Sequence, residues 1–185
     1  MVEYLFNKSI LKDLDYTNCE VTIKHSISFA NPGTGLSMRP LCRSDHAKGY
    51  MDLLSQLTQV GNTSEGMFIQ RFDEMKDCKN SYYVVVIEDE QAGRIAASGT
   101  LTVEQQLNPS LDIKSRGRIE DIVVLNTHRG KYLGKLLLET LALIAKYVDC
   151  DDLSLECKDP LVRFYQQFGF IVQDEQVYMG NRYLH

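Results

Sequence analysis

The stretch VVLNTHRGKYLGKLLLETL (residues 123–141) joins an apolar strand pattern to a leucine-rich helix pattern through a short basic turn. Gly130 and Gly134 stand at the head of this helix, although a glycine in a helix interior costs roughly 1 kcal/mol relative to alanine. The first N–H groups of a helix lack internal partners, so a helix start with little side-chain bulk can hold an anion, usually phosphate. The stretch therefore predicts a phosphate-binding helix start, and two tolerated glycines in a solvated turn are the alternative.

The rest of the chain alternates between strand and helix patterns in a mixed order. Strands are predicted at residues 36–41, 82–90, 95–104, 116–125, 152–157, 170–173 and 177–184. Helices are predicted at residues 43–60 (with Ser44 as N-cap), 64–78, 128–148 and 160–168, and loops at 29–35 and 105–115. This order predicts an α/β (mixed α+β) domain over residues 36–185, with one mixed central β-sheet flanked by helices, after an N-terminal extension at residues 1–35.

Composition narrows the class of protein. With 44% hydrophobic and 24% charged residues, the 185-residue chain is typical of a globular protein. A formal net charge of −5 argues against a nucleic-acid binder, and no apolar run is long enough to span a membrane. The five cysteines and four histidines are scattered without metal-ligand spacing, which predicts a reduced cytoplasmic protein without a metal. Peripheral association with a membrane stays open.

Two motifs indicate a family. Residues 129–134 match motif A of the GNAT acetyltransferase superfamily, Gln/Arg-x-x-Gly-x-Gly/Ala, with a departure at Tyr132, and FYQQFGF (164–170) is similar to its C-terminal FY-x-x-x-GF segment. Together with RGRIEDIVV (116–124), these motifs make residues 36–185 resemble the eukaryotic glucosamine 6-phosphate N-acetyltransferases. The resemblance implies the GNAT acyl-CoA N-acyltransferase fold. It also implies acetyl transfer from acetyl-CoA to glucosamine 6-phosphate, a step toward UDP-N-acetylglucosamine, in a homodimer whose active sites use both chains.

The same resemblance assigns candidate residues. The backbone of Ile122, Val123 and Val124 is expected along the acetyl-pantetheine arm. The pyrophosphate is expected on Arg129, Gly130, Lys131, Tyr132, Leu133, Gly134 and Lys135. Tyr165 is expected to point its hydroxyl at the thioester sulfur. The sugar phosphate and the amine are expected near Thr58, Arg116, Glu120, Asp121, Glu156 and Arg182. Leu161 departs from the family, which commonly has an asparagine that contacts CoA there.

Acyl transfer to an amine requires a proton acceptor, a stabilised oxyanion and a donor to the departing sulfur. Glu120, Asp121 and Glu156 are candidate acceptors, and Tyr165 is a candidate donor. Glu120 and Asp121 are adjacent in a predicted strand, so they face opposite sides unless a bulge re-aims one. Glu156, in an apolar strand, is expected to be a buried carboxylate.

Two further readings concern the sugar phosphate and the thiol beside Glu156. Arg116 and Arg118 share a strand face, which suits a phosphate clamp or a solvated edge. An acyl intermediate on Cys157 ranks below direct transfer, because neighbouring acids disfavour the thiolate.

Two other functions stay open. One is acetylation of another amine, such as a protein N-terminus or a polyamine, although the pair Arg116 and Arg118 favours an anionic acceptor. The other is a non-catalytic dimeric scaffold that binds acetyl-CoA. Such a scaffold would tolerate loss of Tyr165 and Glu156.

Overall fold

The protein is built around one mixed β-sheet. The computed structural model describes residues 2–57, 61, 63–107 and 113–173. Its strands follow the order β1 (Leu36–Pro40), β2 (Tyr82–Asp89), β3 (Arg94–Leu107), β4 (Ile113–Val124) and β5 (Asp152–Leu155). The first four strands pair antiparallel, and β5 pairs parallel to β4. The chain divides into a unit that ends at Leu155 and a second unit that begins at Glu156.

Six α-helices surround or follow the strands in the described part of the chain. They are α1 (Ser9–Asp13), α2 (Glu20–His25), α3 (Tyr50–Leu54), α4 (Glu65–Asp77), α5 (Leu133–Tyr147) and α6 (Val162–Gln166). Short 3-10 helices span Asp45–Lys48, Asn126–His128 and Asp159–Leu161. Within the described ranges, no helix is long and apolar enough to cross a bilayer.

The core lies on both faces of β2, as its unbroken apolar run requires. Val84 and Val86 join a buried cluster with Phe68 and Phe72 of α4. Val85 lies on the opposite face, where it pairs with Gly99. A Cβ added at Gly99 would lie 3.0 Å from a methyl group of Leu141, so α5 covers this second face closely.

A buried ionic network ties β1 to β2. The guanidinium of Arg39 donates two hydrogen bonds of 2.8 Å to the carboxylate of Asp45, whose side chain is 0% exposed. It also donates to Glu88 at 2.6 and 3.0 Å, and Lys48 donates to the same Glu88 carboxylate. Each buried charge therefore has an opposite partner, which offsets the cost of removing it from water.

The N-terminal segment packs on α5. Leu11 and Val21 are fully buried. Cys19, the N-cap of α2, makes no side-chain cap hydrogen bond. Instead, Glu139 of α5 accepts hydrogen bonds from the backbone N–H of Glu20 at 2.6 Å and of Val21 at 3.2 Å, so a carboxylate distant in sequence caps α2. The division into residues 1–35 and 36–185 stays a prediction.

The helix predicted at 43–60 is wrong as one continuous helix: only Tyr50–Leu54 is α-helical, residues 55–57 form a turn, and residues 58–60 lie outside the described residues. Gly49 has φ of 75° and separates the 3-10 helix Asp45–Lys48 from α3, because a left-handed residue ends regular helical bonding. Ser44 makes no side-chain cap hydrogen bond. The helix predicted at 64–78 is confirmed, and the Ser64 hydroxyl accepts from the N–H of Met67.

Three other predictions need correction. Strands β3 and β4 extend to Leu107 and back to Ile113, so much of the predicted loop 105–115 is a paired ladder. Residues 170–173 do not form a strand, and the strand predicted at 177–184 lies outside the described residues. Strand β5 ends at Leu155, so Glu156 and Cys157 follow it and are exposed. The expectation of a buried Glu156 is therefore wrong.

Candidate active site

The turn before α5 leaves its first N–H groups open. Gly130 has φ of 79° and Tyr132 has φ of 61°, so the chain turns sharply before the helix begins at Leu133. The first helical hydrogen bond runs from the N–H of Leu136 to the carbonyl of Tyr132, over 3.0 Å. The N–H groups of residues 133–135 therefore precede the helical ladder, and the first turn contains no acidic residue and no side-chain cap. Such an end attracts an anion.

Glycine is present at positions 130 and 134 for different reasons. Gly130 needs its glycine for a positive φ, and it lies before the helix rather than within it. Gly134 is helical, and an added Cβ would lie 3.7 Å from Val124 Cγ2 and 4.0 Å from Ile122 Cγ2, which are ordinary contacts. Neither the backbone nor the packing of the protein requires a glycine at 134. A ligand that approaches the helix start would account for it.

Three side chains of this turn contact other parts of the protein. Arg129 donates from Nε to the carbonyl of Val124 over 3.2 Å, so its guanidinium is bound to β4. The buried ring of His128 lies 3.1 Å from a carboxylate oxygen of Asp89 and 2.9 Å from the hydroxyl of Thr127. Tyr132 stacks on His25 of α2, with ring centroids 3.6 Å apart. Its side chain thus lies against the N-terminal segment, and its backbone stays at the helix start.

Strand β4 contains a β-bulge, the feature that could turn Glu120 and Asp121 away from opposite faces of the strand. Thr100 pairs with Glu120 and Ser98 pairs with Val123, so two residues of β4, Asp121 and Ile122, oppose the single Gly99 of β3. Asp121 has φ of 54°. The ladder between β4 and β5 ends at Ile119, so beyond this residue the second edge of β4 has no strand partner in the described part of the chain. That edge includes the backbone of residues 122–124.

The residues of the first unit that are expected near the sugar phosphate and the amine lie along β4. Arg118 and Glu120 form an ion pair of 2.9 Å, and Arg116 lies 3.5 Å from Asp152. Both arginines are exposed on one face of the strand, as predicted. Asp121 is exposed, yet the surrounding protein partly desolvates its carboxyl and raises its pKa above the usual value of 3.8.

The second unit contains the other predicted catalytic groups. Tyr165 of α6 is half-buried, with edge contacts to Phe164 and Phe170 at centroid distances of 5.1 and 6.2 Å. Burial raises its pKa, and its hydroxyl makes no hydrogen bond within residues 156–173. Leu161, where the resemblance leads us to expect an asparagine, is 46% exposed. Thr58 and Arg182 lie outside the described residues.

Comparisons with known proteins give the family. The sequence matches the family model described as Acetyltransferase (GNAT) family over residues 49–170. The chain belongs to the GNAT acetyltransferase family. A probable glucosamine 6-phosphate N-acetyltransferase of Drosophila melanogaster is 40% identical over 169 residues, which cover 91% of this chain and 76% of that protein. Glucosamine 6-phosphate N-acetyltransferase 1 of Dictyostelium discoideum is 38% identical over 136 residues, or 74% of this chain and 85% of that one.

A solved structure supports the same assignment. Glucosamine-6-phosphate N-acetyltransferase from Arabidopsis thaliana is 32% identical, with a TM-score of 0.72, and the match covers 80% of this chain and 98% of that one. The GNAT fold and the resemblance to the glucosamine 6-phosphate N-acetyltransferases are therefore confirmed.

In this GNAT acetyltransferase, the open edge of β4 and the open start of α5 are adjacent. The gap between them contains the position that a side chain at 134 would occupy. The combination offers hydrogen bonds to an extended ligand along β4 and positive dipole to its anionic part at α5. Among the described residues, no group of three His, Cys, Asp or Glu side chains converges on a metal position.

Sequence reasoning missed the N-terminal contacts of this site. His25 lies against Tyr132, and Glu139 holds α2 beside the helix start. The sequence predicted a loop at residues 29–35, but a local pattern does not show which residues an N-terminal segment contacts.

Proposed function

We propose that this protein transfers the acetyl group of acetyl-CoA to the 2-amino group of glucosamine 6-phosphate. The observation that carries the proposal is the junction of the unpaired β4 edge with the uncapped start of α5. Relatives named for this reaction support the choice of acceptor. The transfer is direct, within a complex that holds both substrates.

Acetyl-CoA fits the residues at this junction. The N–H groups of residues 133–135 would hold the pyrophosphate, with Lys131 and Lys135 adding positive charge. The backbone of residues 122–124 would bond the acetyl-pantetheine arm as a neighbouring strand would. Acetyl-CoA supplies an activated thioester, and the remaining chemistry belongs to the side chains and backbone of the protein.

The acceptor is proposed to lie on the β4 face that carries Arg116 and Arg118. Their guanidinium groups can bind the sugar phosphate bidentately, in place of part of their present contact with Asp152 and Glu120. Thr58 and Arg182 are proposed to complete this subsite. A negatively charged sugar phosphate would offset the cost of desolvating Arg116 and Arg118. A positively charged polyamine would not.

The ammonium group of the sugar loses two protons on becoming an amide, one of which must be accepted by a base while the other balances protonation of the sulfur. Asp121, Glu120 and Glu156 are the proposed acceptors, directly or through water, and the raised pKa of Asp121 suits it to take a proton. The nitrogen then attacks the thioester carbon, and backbone N–H groups near Ile122 stabilise the oxyanion. As the C–S bond breaks, the Tyr165 hydroxyl gives its proton to the departing thiolate, and the second proton lost by the nitrogen restores the phenol, directly or through water. The raised pKa of Tyr165 keeps the phenol protonated until that step.

A homodimer with shared active sites is proposed from the resemblance, and one surface supports it. Ile171 and Val172 are adjacent and are 75% and 56% exposed, which is unusual for large apolar neighbours. A second copy of the chain would cover them. All five cysteines are free thiols, which supports a reducing compartment, the cytoplasm.

An assay of free CoA thiol release tests the function. Glucosamine 6-phosphate should give rapid release, and unphosphorylated glucosamine should give a kcat/KM lower by roughly 100-fold or more, since two charge-assisted contacts are lost. Arg118→Met should remove most of this preference, while Arg71→Met, an exposed arginine of α4 paired with Glu74, should keep it. Equal rates with both sugars would overturn the phosphate subsite. Release only with another amine would identify a different acetyltransferase, and no release with any amine would favour the scaffold.

A further inference from the structure

Helix α3 places a hydroxyl group in the core that the packing does not need. Tyr50, the first residue of α3, is 7% exposed and belongs to the buried apolar cluster that includes Phe68 of α4. The two rings meet edge to face, with centroids 5.7 Å apart. A phenylalanine at position 50 would fill the same space and make the same ring contact without burying a polar atom. Packing therefore accounts for the ring of Tyr50 and not for its hydroxyl.

The Tyr50 hydroxyl is paired with a second buried hydroxyl. Ser98 of β3 is 0% exposed, and its Oγ lies 3.5 Å from the phenol oxygen. Within the described ranges, this is the one hydrogen-bond contact of the Tyr50 side chain, and it is long for two hydroxyl groups. Each hydroxyl can donate one hydrogen and accept others. The pair, Tyr50 with Ser98, therefore retains the capacity to donate to a neighbouring group.

This hydroxyl pair lies beside the bulge of β4 that contains Asp121. Ser98 directly precedes Gly99, the residue of β3 that the bulge opposes. Helix α3 packs on both β3 and β4. In the turn after α3, Gln56 Oε1 accepts a hydrogen bond of 3.2 Å from the N–H of Asn126, just beyond the end of β4. These contacts hold α3 against the strand that carries Asp121.

The Tyr50 hydroxyl lies within the electrostatic influence of Asp121. Burial raises the pKa of Tyr50 to about 12, although the contact with Ser98 opposes that rise. The negative charges of Asp121 and Asp45 add to it. Asp45 is already paired with Arg39. Desolvation raises the pKa of Asp121, and no cation among the described residues offsets that cost. A hydrogen-bond donor beside Asp121 would stabilise its charged form.

We propose that Tyr50 is a positioning residue for Asp121. The Tyr50 and Ser98 hydroxyls donate to the charged Asp121 carboxylate, directly or through one water, and hold it in the bulge. Desolvation and these donors act in opposite directions on the carboxyl, so the hydroxyl pair sets the pH above which Asp121 can take a proton. The role in the reaction rests on the proposed function, because it takes Asp121 as the proton acceptor.

The pKa of Asp121, measured without any substrate, tests this contact. Carbon-detected NMR of the full chain follows the carboxyl through a pH titration, and Asp121→Asn identifies its signal. Tyr50→Phe should raise the pKa of Asp121 by roughly one pH unit, because a donor to the charged form is lost. Tyr83→Phe is the matched control, since Tyr83 is also buried (4% exposed) but lies near the thiol of Cys150 and not near Asp121. It should leave the pKa of Asp121 unchanged.

Two further variants keep the test independent of folding defects. Tyr50→Phe should unfold at a temperature no lower than that of the unmodified protein, because it buries one polar atom fewer. Ser98→Ala leaves the ring of Tyr50 in place and should also raise the pKa of Asp121. An unchanged pKa of Asp121 in both variants would overturn the contact, even if glucosamine 6-phosphate is the acceptor. A raised pKa would support it, even if another amine is acetylated.

Kinetics test the role of the contact in the reaction. With glucosamine 6-phosphate, Tyr50→Phe should move the acid limb of kcat/KM to higher pH and lower activity by up to roughly tenfold below that limb. The affinity for acetyl-CoA should not change. In an Asp121→Asn background, Tyr50→Phe should have no further effect on the limb, because the two residues act as one unit. A raised pKa of Asp121 without movement of the kinetic limb would overturn this role.

Discussion

Replacing Gly134 by alanine separates two explanations of this glycine, because they predict effects on different quantities. The added Cβ would lie 3.7 Å from Val124 and 4.0 Å from Ile122, so the protein itself accommodates it. Alanine should therefore stabilise α5 by up to about 1 kcal/mol. In a chain of this size, that gain raises Tm by roughly 2–4 °C.

The same methyl group enters the gap where we place the ligand. Adding one methyl to a filled space costs about 1–3 kcal/mol, which corresponds to roughly 5-fold to 150-fold weaker binding of acetyl-CoA. Gly66→Ala is the matched control, because Gly66 is also the second residue of its helix and its added Cβ would lie 3.9 Å from Ser64 Oγ. The control should gain stability and keep its affinity. If calorimetry finds the same affinity in Gly134→Ala as in the unmodified protein, the ligand explanation of Gly134 is refuted.

Three other predictions concern the donor, the base and the core. Tyr165→Phe should lower kcat by roughly 100-fold with little change in acetyl-CoA affinity, because charge on sulfur develops during transfer; parallel losses in kinetics and calorimetry would contradict a donor role. The raised pKa of Asp121 should place the acid limb of kcat/KM above pH 3.8, with activity falling as the pH drops through that raised pKa; a limb that persists in Asp121→Asn would assign the proton elsewhere. Arg39→Met should lower the free energy of unfolding in urea by about 3–5 kcal/mol, because it leaves the buried Asp45 carboxylate without a cation and Glu88 with Lys48 alone. Arg43→Met breaks an exposed pair (41% and 47%) and should cost less than about 1 kcal/mol, so equal losses would contradict the argument from burial.

Local patterns predicted the elements whose formation depends on nearby residues. The Ser64 cap and the apolar spacing after it define α4, and the β-branched run of 82–90 defines β2. The break at Gly49 was missed, because the apolar spacing of α3 starts only at Tyr50 and carries no information about the preceding turn. The short basic turn at Gly130 was predicted, but its left-handed φ was not, since a glycine beside leucines does not reveal its own φ.

The site required information from distant residues. The sequence placed Glu120 and Asp121 in one strand, but the bulge at Asp121 and Ile122 appears only in the pairing with the neighbouring strand, where both residues oppose Gly99. The cap that Glu139 provides for Glu20 joins residues 119 positions apart. Neither contact has a local pattern, because each depends on how two elements pack after they form. The motif around Gly130 was readable, since its chemistry lies within one short turn.

Because α2 is capped by a residue of α5, hydrogen exchange in α2 can report on the contact between these two helices. With six residues, α2 is too short to persist in water by its own hydrogen bonds. The carboxylate of Glu139 stabilises it by accepting hydrogen bonds from the backbone N–H groups of Glu20 and Val21. The rate at which deuterium replaces these two protons will therefore report separation of the N-terminal segment from α5 while the sheet is still intact.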